Sequence, residues 1–200
     1  MIFNILLFDG FESLDIFGPI EVFGSLEEAE LRYYAMTDEV TSAQGTVIKT
    51  IPLTKSHVAD MRGILVLPGG QGTRSLVQDV QFLDVLKTLV GQSTYCLSIC
   101  TGSAVLAKAG ILDGRKATSN KNAFQWVMSC SDLVDWQPKA RWVVDGKFYT
   151  ASGISAGIDM ALGFVRDRFS DEEAKRIAMR MEYSWNEEAD EDPFAVDLNI

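Results

Sequence analysis

The residue with the most to offer chemically is Cys100, in the turn Ser98-Ile-Cys-Thr-Gly-Ser103. A thiol attacks as its thiolate, and the unpaired N–H groups at a helix N-terminus favour that form. The same N–H groups suit an anion forming on a substrate. The other reading of a free cysteine is a small buried hydrophobe. Asp15 is the second candidate: it follows the first strand, where α/β sheets build their sites, and its alternative role is a plain helix N-cap. Gly69-Gly70-Gln71-Gly72 is the third. Paired glycines there allow φ > 0 and leave N–H groups free beside a ligand. The stretch matches neither GxGxxG nor GxxxxGK[ST], so an oxyanion hole facing Cys100 stands level with phosphate binding.

Two further features compete for attention. Gly153-Ile-Ser155-Ala-Gly157 is a literal GxSxG, the signature of a serine nucleophile elbow. A serine needs a base, and in hydrolase order the histidine follows the serine. The one histidine, His57, lies far upstream. Ser155 therefore reads as a helix cap, with the glycines allowing close packing. His57, in the polar connection Lys55 to Met61, reads as a solvated side chain. A single imidazole excludes a His-rich metal centre and allows at most one Cys–His or Ser–His pair.

Positioning these residues requires particular elements. Ile2 to Phe8 is a continuous apolar run, as expected of a parallel strand buried on both faces. The helix after it spans Asp15 to Gly24, with Ser13 or Asp15 as cap and Pro19 marking its first turn. Leu31 to Met36 is a second strand. Thr41 to Ile51, broken at Gln44-Gly45, reads as a hairpin or edge ribbon. Gly63 to Pro68 is a strand running into the glycines, and Ser75 to Val90 an amphipathic helix. Thr94 to Ile99 is a short buried strand, and Ala104 to Ala109 suits a helix stopped by Gly110. No loop fits between them, so Cys100 falls on a sharp strand-to-helix turn. Asn120 to Cys130 reads as helix, and Asp145-Gly146 joins strands Ala140 to Val144 and Lys147 to Ala151 in a hairpin. Helices Ile158 to Phe169 and Glu172 to Tyr183 complete the chain, the latter capped by Ser170 with Glu173. The acidic tail from Asn186 to Ile200, carrying Pro193-Phe194, is expected on the surface or at a subunit contact.

Alternating strands and helices over 200 residues, 47% hydrophobic, point to one α/β domain spanning residues 1–200. A net charge of −10 argues against nucleic acid or an anionic membrane as partner. No apolar run reaches the roughly 18 residues of a membrane span. The first residues lack a basic lead and a cleavage site, so they read as a strand, not a signal peptide. Three cysteines without framework spacing fit the reducing cytosol. No metal or cofactor motif is present in the sequence.

Taken together, Phe11-Glu-Ser-Leu-Asp15-Ile-Phe-Gly-Pro19, Val66-Leu-Pro-Gly-Gly70, Ser98 to Ser103 and Gly153 to Asp159 resemble the PfpI-type superfamily. The resemblance is strongest to its isocyanide hydratase branch. It implies a glutamine-amidotransferase-like, flavodoxin-like three-layer sandwich around a mostly parallel sheet. It makes Cys100 the nucleophile, Asp15 the acid approaching its sulfur, and Thr101 the residue marking the hydratase branch. PfpI-type proteases carry histidine after the cysteine, so a peptidase is not expected. Gly69 and Gly70 would turn their amides to the reacting carbon, and Gly153 and Ile154 would line the substrate site. The implied activity is hydration of an isocyanide to a formamide without cofactor, in a homodimer. An oxidation sensor without turnover, or a glyoxalase-like or hydrolytic activity, are the alternatives. Such relatives read Ala-Thr-Thr-His-Trp where this chain has Ala117-Thr-Ser-Asn120-Lys121, which alters the pocket edge. Transcription regulators of the superfamily add a helix-turn-helix domain, which is not expected in a chain ending at residue 200.

Overall fold

The structure is a computed structural model, and residues 1–195 are described. In chain order the first elements are β1 (Ile2–Leu6), α1 (Ser13–Phe23), β2 (Glu30–Ala35), β3 (Glu39–Thr41), β4 (Val47–Lys49), β5 (Ile51–Pro52) and α2 (Lys55–Asp60). Then come β6 (Ile64–Leu67), α3 (Thr73–Leu76), α4 (Val80–Gln92), β7 (Tyr95–Ser98) and α5 (Gly102–Lys108). The remainder is β8 (Lys116–Ala117), α6 (Phe124–Met128), β9 (Asp135–Trp136), β10 (Trp142–Asp145), β11 (Phe148–Ala151), α7 (Ala156–Arg168) and α8 (Asp171–Arg180).

Seven strands form one sheet in the order β10-β11-β7-β6-β1-β2-β5. Every pairing in it is parallel except the β10–β11 hairpin. This is the mostly parallel α/β sandwich that the sequence implies. The reason lies in the strands themselves: all four residues of β6 and of β11 are buried, so helices must cover both faces. Phe3 of β1 stacks on Phe23 of α1 at 4.3 Å between ring centroids, and Phe164 of α7 meets both edge-on. Phe8 meets Phe82 of α4 edge-on at 6.4 Å.

Several boundaries differ from the sequence reading. Pro19 lies inside α1 rather than in its first turn. A proline disfavours helical geometry in the preceding residue by crowding its backbone N–H and its Cβ, and Gly18 lacks the second. Neither Ser13 nor Asp15 caps α1; Glu12 occupies the cap position without a side-chain bond. The single helix expected from Ser75 to Val90 is two, because the Asp79 carboxylate accepts from Phe82 N at 3.0 Å and starts a fresh helix. Asn120 to Cys130 is helical only over α6. Lys55 to Asp60 is a helical turn, with Thr54 Oγ1 accepting from His57 N. The ribbon at Gln44-Gly45 is β3 paired antiparallel with β4. Ser155 stands at the N-cap position of α7 but makes no side-chain cap, so its predicted role is not realised. Ser170 does cap α8, accepting from Glu173 N at 3.0 Å.

One buried ionic cluster ties the acidic segment down. Arg141 contacts Asp159 at 2.5 Å and Asp192 at 3.5 Å, with all three side chains buried. Tyr183 Oη and Asn186 N both donate to Asp159 Oδ1 at 3.0 Å. Ala189 O accepts from the backbone N–H groups of Arg141 and Trp142. Removing one partner of a buried ion pair leaves an uncompensated charge, which costs about 3–5 kcal/mol. Arg141→Met is therefore expected to lower unfolding free energy by about that amount in urea titration. A loss under ~1 kcal/mol would show the cluster to be solvated and weak.

Candidate active site

The site forms where β1, β6 and β7 end side by side. Paired registers place Leu67 of β6 opposite Ser98 of β7, and Thr150 of β11 opposite the same serine. Beyond Ser98 the chain turns sharply. Cys100 sits at φ = 55°, one of three non-glycine residues with positive φ among those described. Such a conformation costs on the order of 1–3 kcal/mol and persists only when its surroundings impose it. Here they do: Ile99 N donates to Leu67 O at 3.0 Å and Cys100 N donates to Ser152 O at 2.9 Å. The Cys100 carbonyl accepts from Ser119 Oγ at 2.8 Å and Ser103 Oγ at 3.2 Å. The strand-to-helix elbow read from the sequence is present, with cysteine at its apex.

A second loop delivers the acid. Phe11 bridges Gly70 in antiparallel fashion, and Glu12 N donates to Gly69 O at 2.9 Å. The β3–β4 ribbon braces that loop from outside, where Ala43 N donates to Phe11 O at 2.8 Å and Ser13 N to Gln44 Oε1 at 3.0 Å. Asp15, in the first turn of α1, is fully buried. Its Oδ2 accepts from Gly69 N at 2.8 Å, while Oδ1 has no hydrogen-bond partner among the described residues. Burial pushes the Asp15 carboxyl well above the ordinary carboxylate range. The Gly69 N–H opposes that shift, the charge of Glu12 adds to it, and a bond from Cys100 opposes it again. Asp15 is thus no exposed cap but a desolvated acid that interacts directly with the thiol.

The thiol departs from expectation. Burial, followed by the charge of Asp15, pushes Cys100 up to about 12. Three donors pull the other way, namely the backbone N–H groups of Thr101 and Ile154 and the Thr101 hydroxyl. The helix-terminus argument for a resting thiolate is therefore overturned: α5 is short, and loss of water outweighs its end effect. Burial thus drives both groups toward their protonated forms, and Cys100 as a residue is 6% exposed.

The glycine amides also differ from expectation. Gly69 N serves Asp15, and Gly70 N donates to Thr101 Oγ1 at 3.1 Å. Neither is free to face a reacting carbon, and the backbone N–H groups bonded to the sulfur are those of Thr101 and Ile154. Glycine is still demanded at position 69, where a Cβ would collide with the Thr101 backbone nitrogen and come within 2.9 Å of Cys100 Cβ. Gly153 and Ile154 do lie at the site, the latter through its N–H. Three residues escaped the sequence reading. Thr73 donates to Gly70 O at 2.7 Å, and Ser119 and Ser152 hold the elbow. Ser152 directly follows β11 and Ser119 lies two residues beyond β8, a placement visible only once strand order is known. Ser155 is exposed and His57 is remote, on the β5–β6 connection, so neither joins the cluster. No group of His, Cys, Asp and Glu suited to a metal ion occurs among the described residues.

Comparison with known proteins bears directly on this geometry. The family model described as "DJ-1/PfpI family" matches residues 3–167. The chain belongs to the DJ-1/PfpI family. It is 32% identical over 179 residues to an isonitrile hydratase of Pseudomonas putida, covering 90% of this chain and 77% of that protein. A deglycase of Thermococcus kodakarensis is 28% identical, over 74% of this chain and 87% of its own length. Among solved structures, a ThiJ/PfpI family protein from Pseudomonas syringae superposes with a TM-score of 0.79 at 29% identity. That match spans 92% of this chain and 76% of the other. Drosophila melanogaster DJ-1beta shares the fold, with a TM-score of 0.77 at 18% identity over 92% of this chain and 98% of its own.

The Asp15 shift carries a stability consequence. A carboxyl whose folded pKa lies above its unfolded value near 3.9 stabilises at low pH, and that contribution is lost as pH rises through the folded value. Asp15→Asn removes the buried ionisation while keeping an oxygen for Gly69 N. The variant is expected to melt with wild type below about pH 4 and progressively above it at higher pH, by roughly 2–4 °C per kcal/mol relieved. Thermal melts from pH 4 to 9 check this, and parallel curves would refute the raised pKa.

Proposed function

We propose that this protein is a cysteine-dependent enzyme acting on small electrophilic molecules, and that its reaction is hydration of an isocyanide to an N-substituted formamide. The observation that carries the reading is the desolvated Asp15 carboxyl, one oxygen unpartnered, interacting with a thiol on a strained elbow. The terminal carbon of R–N≡C bears a lone pair and must gain a proton as it accepts a nucleophile. Asp15 gives its proton to that carbon while the sulfur forms the C–S bond. The thiol proton passes to the carboxylate just created, restoring the acid. The product is a thioimidate, R–N=CH–S–Cys100. Water then adds to the same carbon: the restored Asp15 carboxyl gives its proton to the nitrogen and takes one from the water, leaving R–NH–CH(OH)–S–Cys100. The C–S bond breaks as the hydroxyl proton passes to the sulfur, and R–NH–CHO leaves. No resting thiolate and no imidazole are needed. The N–H groups of Thr101 and Ile154 steady the sulfur whenever it carries charge.

The similarity to an isonitrile hydratase over most of the chain supports this choice. Deglycases stand at lower identity. A role as peroxide sensor is less well supported, because thiolate, not thiol, reacts with oxidant, and burial raises this thiol. Leu14 and Phe17 beside Asp15 on α1 are exposed apolar side chains, which supports a homodimer that covers them. Three unpaired cysteines suit a reducing compartment such as the cytoplasm. A small molecule is the partner in this reading, with no nucleic acid.

Turnover of cyclohexyl isocyanide, followed by formamide release, tests the reaction. Wild type is expected to be active, Cys100→Ala inactive, and Asp15→Asn slower by about 10²–10⁴-fold. Equal rates in all three would reject the scheme.

A further inference from the structure

Beside the thiol lies a cavity of about 180 Å³, walled in part by Asn120, Ser152, Gly153, Ile154 and Phe194. Ile154 connects it to the chemistry, because its backbone N–H bonds the Cys100 sulfur. The cavity is smaller than the roughly 300–1,000 Å³ typical of ligand sites, so it suits a compact substituent.

Its polar lining residues are Asn120, Lys121, Asn122, Ser152 and Ser155, and none is acidic. Lys121 lines it with its stem only, because its ammonium is buried and donates to Thr118 Oγ1 at 2.8 Å and Ala140 O at 2.6 Å. Asn120 is different. Its Oδ1 accepts from Ala123 N at 3.0 Å, ahead of α6, which fixes the amide plane. Nδ2 is thereby turned over Gly153, so close that a Cβ at position 153 would collide with it. Nδ2 has no acceptor among the described residues and is not sealed from solvent. A two-donor group is thus aimed at the cavity, with its oxygen already engaged and glycine opposite making room.

We infer that Asn120 determines substrate choice by donating a hydrogen bond to a neutral carbonyl on the substituent of the isocyanide. The preferred substrate is then a small isocyanide bearing an ester or amide carbonyl, over a bare hydrocarbon isocyanide of the same size. The inference rests on the isocyanide reading for the reacting group, but the recognition of the carbonyl does not. A site built to donate to a substrate oxygen discriminates strongly against an analogue lacking it, because the donor is then left unpaired.

Methyl isocyanoacetate and n-pentyl isocyanide, which have equal numbers of heavy atoms, provide the test. The ratio of their kcat/KM values in wild type is expected to fall about tenfold in Asn120→Leu, with the pentyl substrate within roughly twofold of wild type. Asn120→Asp keeps the oxygen that serves Ala123 N but replaces the donor by an acceptor, and should lower the ratio at least as far. A purely structural role would slow both substrates together and leave the ratio unchanged, which would overturn the inference. Absence of turnover with either compound would instead reject the isocyanide reaction. Asn120 is then judged by alkylation of Cys100, comparing iodoacetamide with 1-iodopropane. A severalfold drop in that rate ratio in Asn120→Leu sustains the carbonyl contact, and an unchanged ratio refutes it.

Discussion

The site depends on one short antiparallel contact between two loops, Phe11-Glu12 against Gly69-Gly70. It is made outside the strands proper, after β1 and β6 have ended, and it sets the distance between two arms of the sheet. Through it the Gly69 N–H reaches Asp15, and Gly69 in turn lies against the turn that carries Cys100. Any side chain at position 69 would wedge these loops apart. The acid and the thiol therefore meet because a residue without a Cβ stands between them.

Desolvation then decides the chemistry. Both groups of the pair are driven toward their neutral forms by burial. Such a pair is a poor permanent nucleophile. It is well suited to a reaction in which a proton must reach carbon as sulfur attacks, because one carboxyl can release a proton and take another in the same passage. Its strained backbone at φ = 55° is supported from four directions by backbone and serine contacts. That support explains why the sulfur does not relax away from the acid.

Much of this was legible in the amino-acid string. Unbroken apolar runs identified the central strands, and the switch from Thr94–Ile99 to an alanine-rich helix located the elbow. Asp145-Gly146 and Gln44-Gly45 marked their hairpins through glycine at positive φ. Other features were hidden because they depend on three-dimensional neighbours. The break between α3 and α4 arises from a side chain bonding its own helix start, against an otherwise continuous apolar stripe. Pro19 enters α1 beside Gly18, whose missing Cβ removes part of the clash with the proline ring. Thiol protonation follows from how much water the fold removes, a quantity that helix-end reasoning omits. The engagement of both glycine amides by Asp15 and Thr101 likewise needed the loop pairing to be known.

The tethering of the acidic segment has a practical side. Asp192 is paired with Arg141, and Phe194, two residues on, forms part of the wall of the cavity that Ile154 also lines. A change that frees Asp192 from Arg141 would therefore be felt in the wall of that cavity as well as in the stability of the fold.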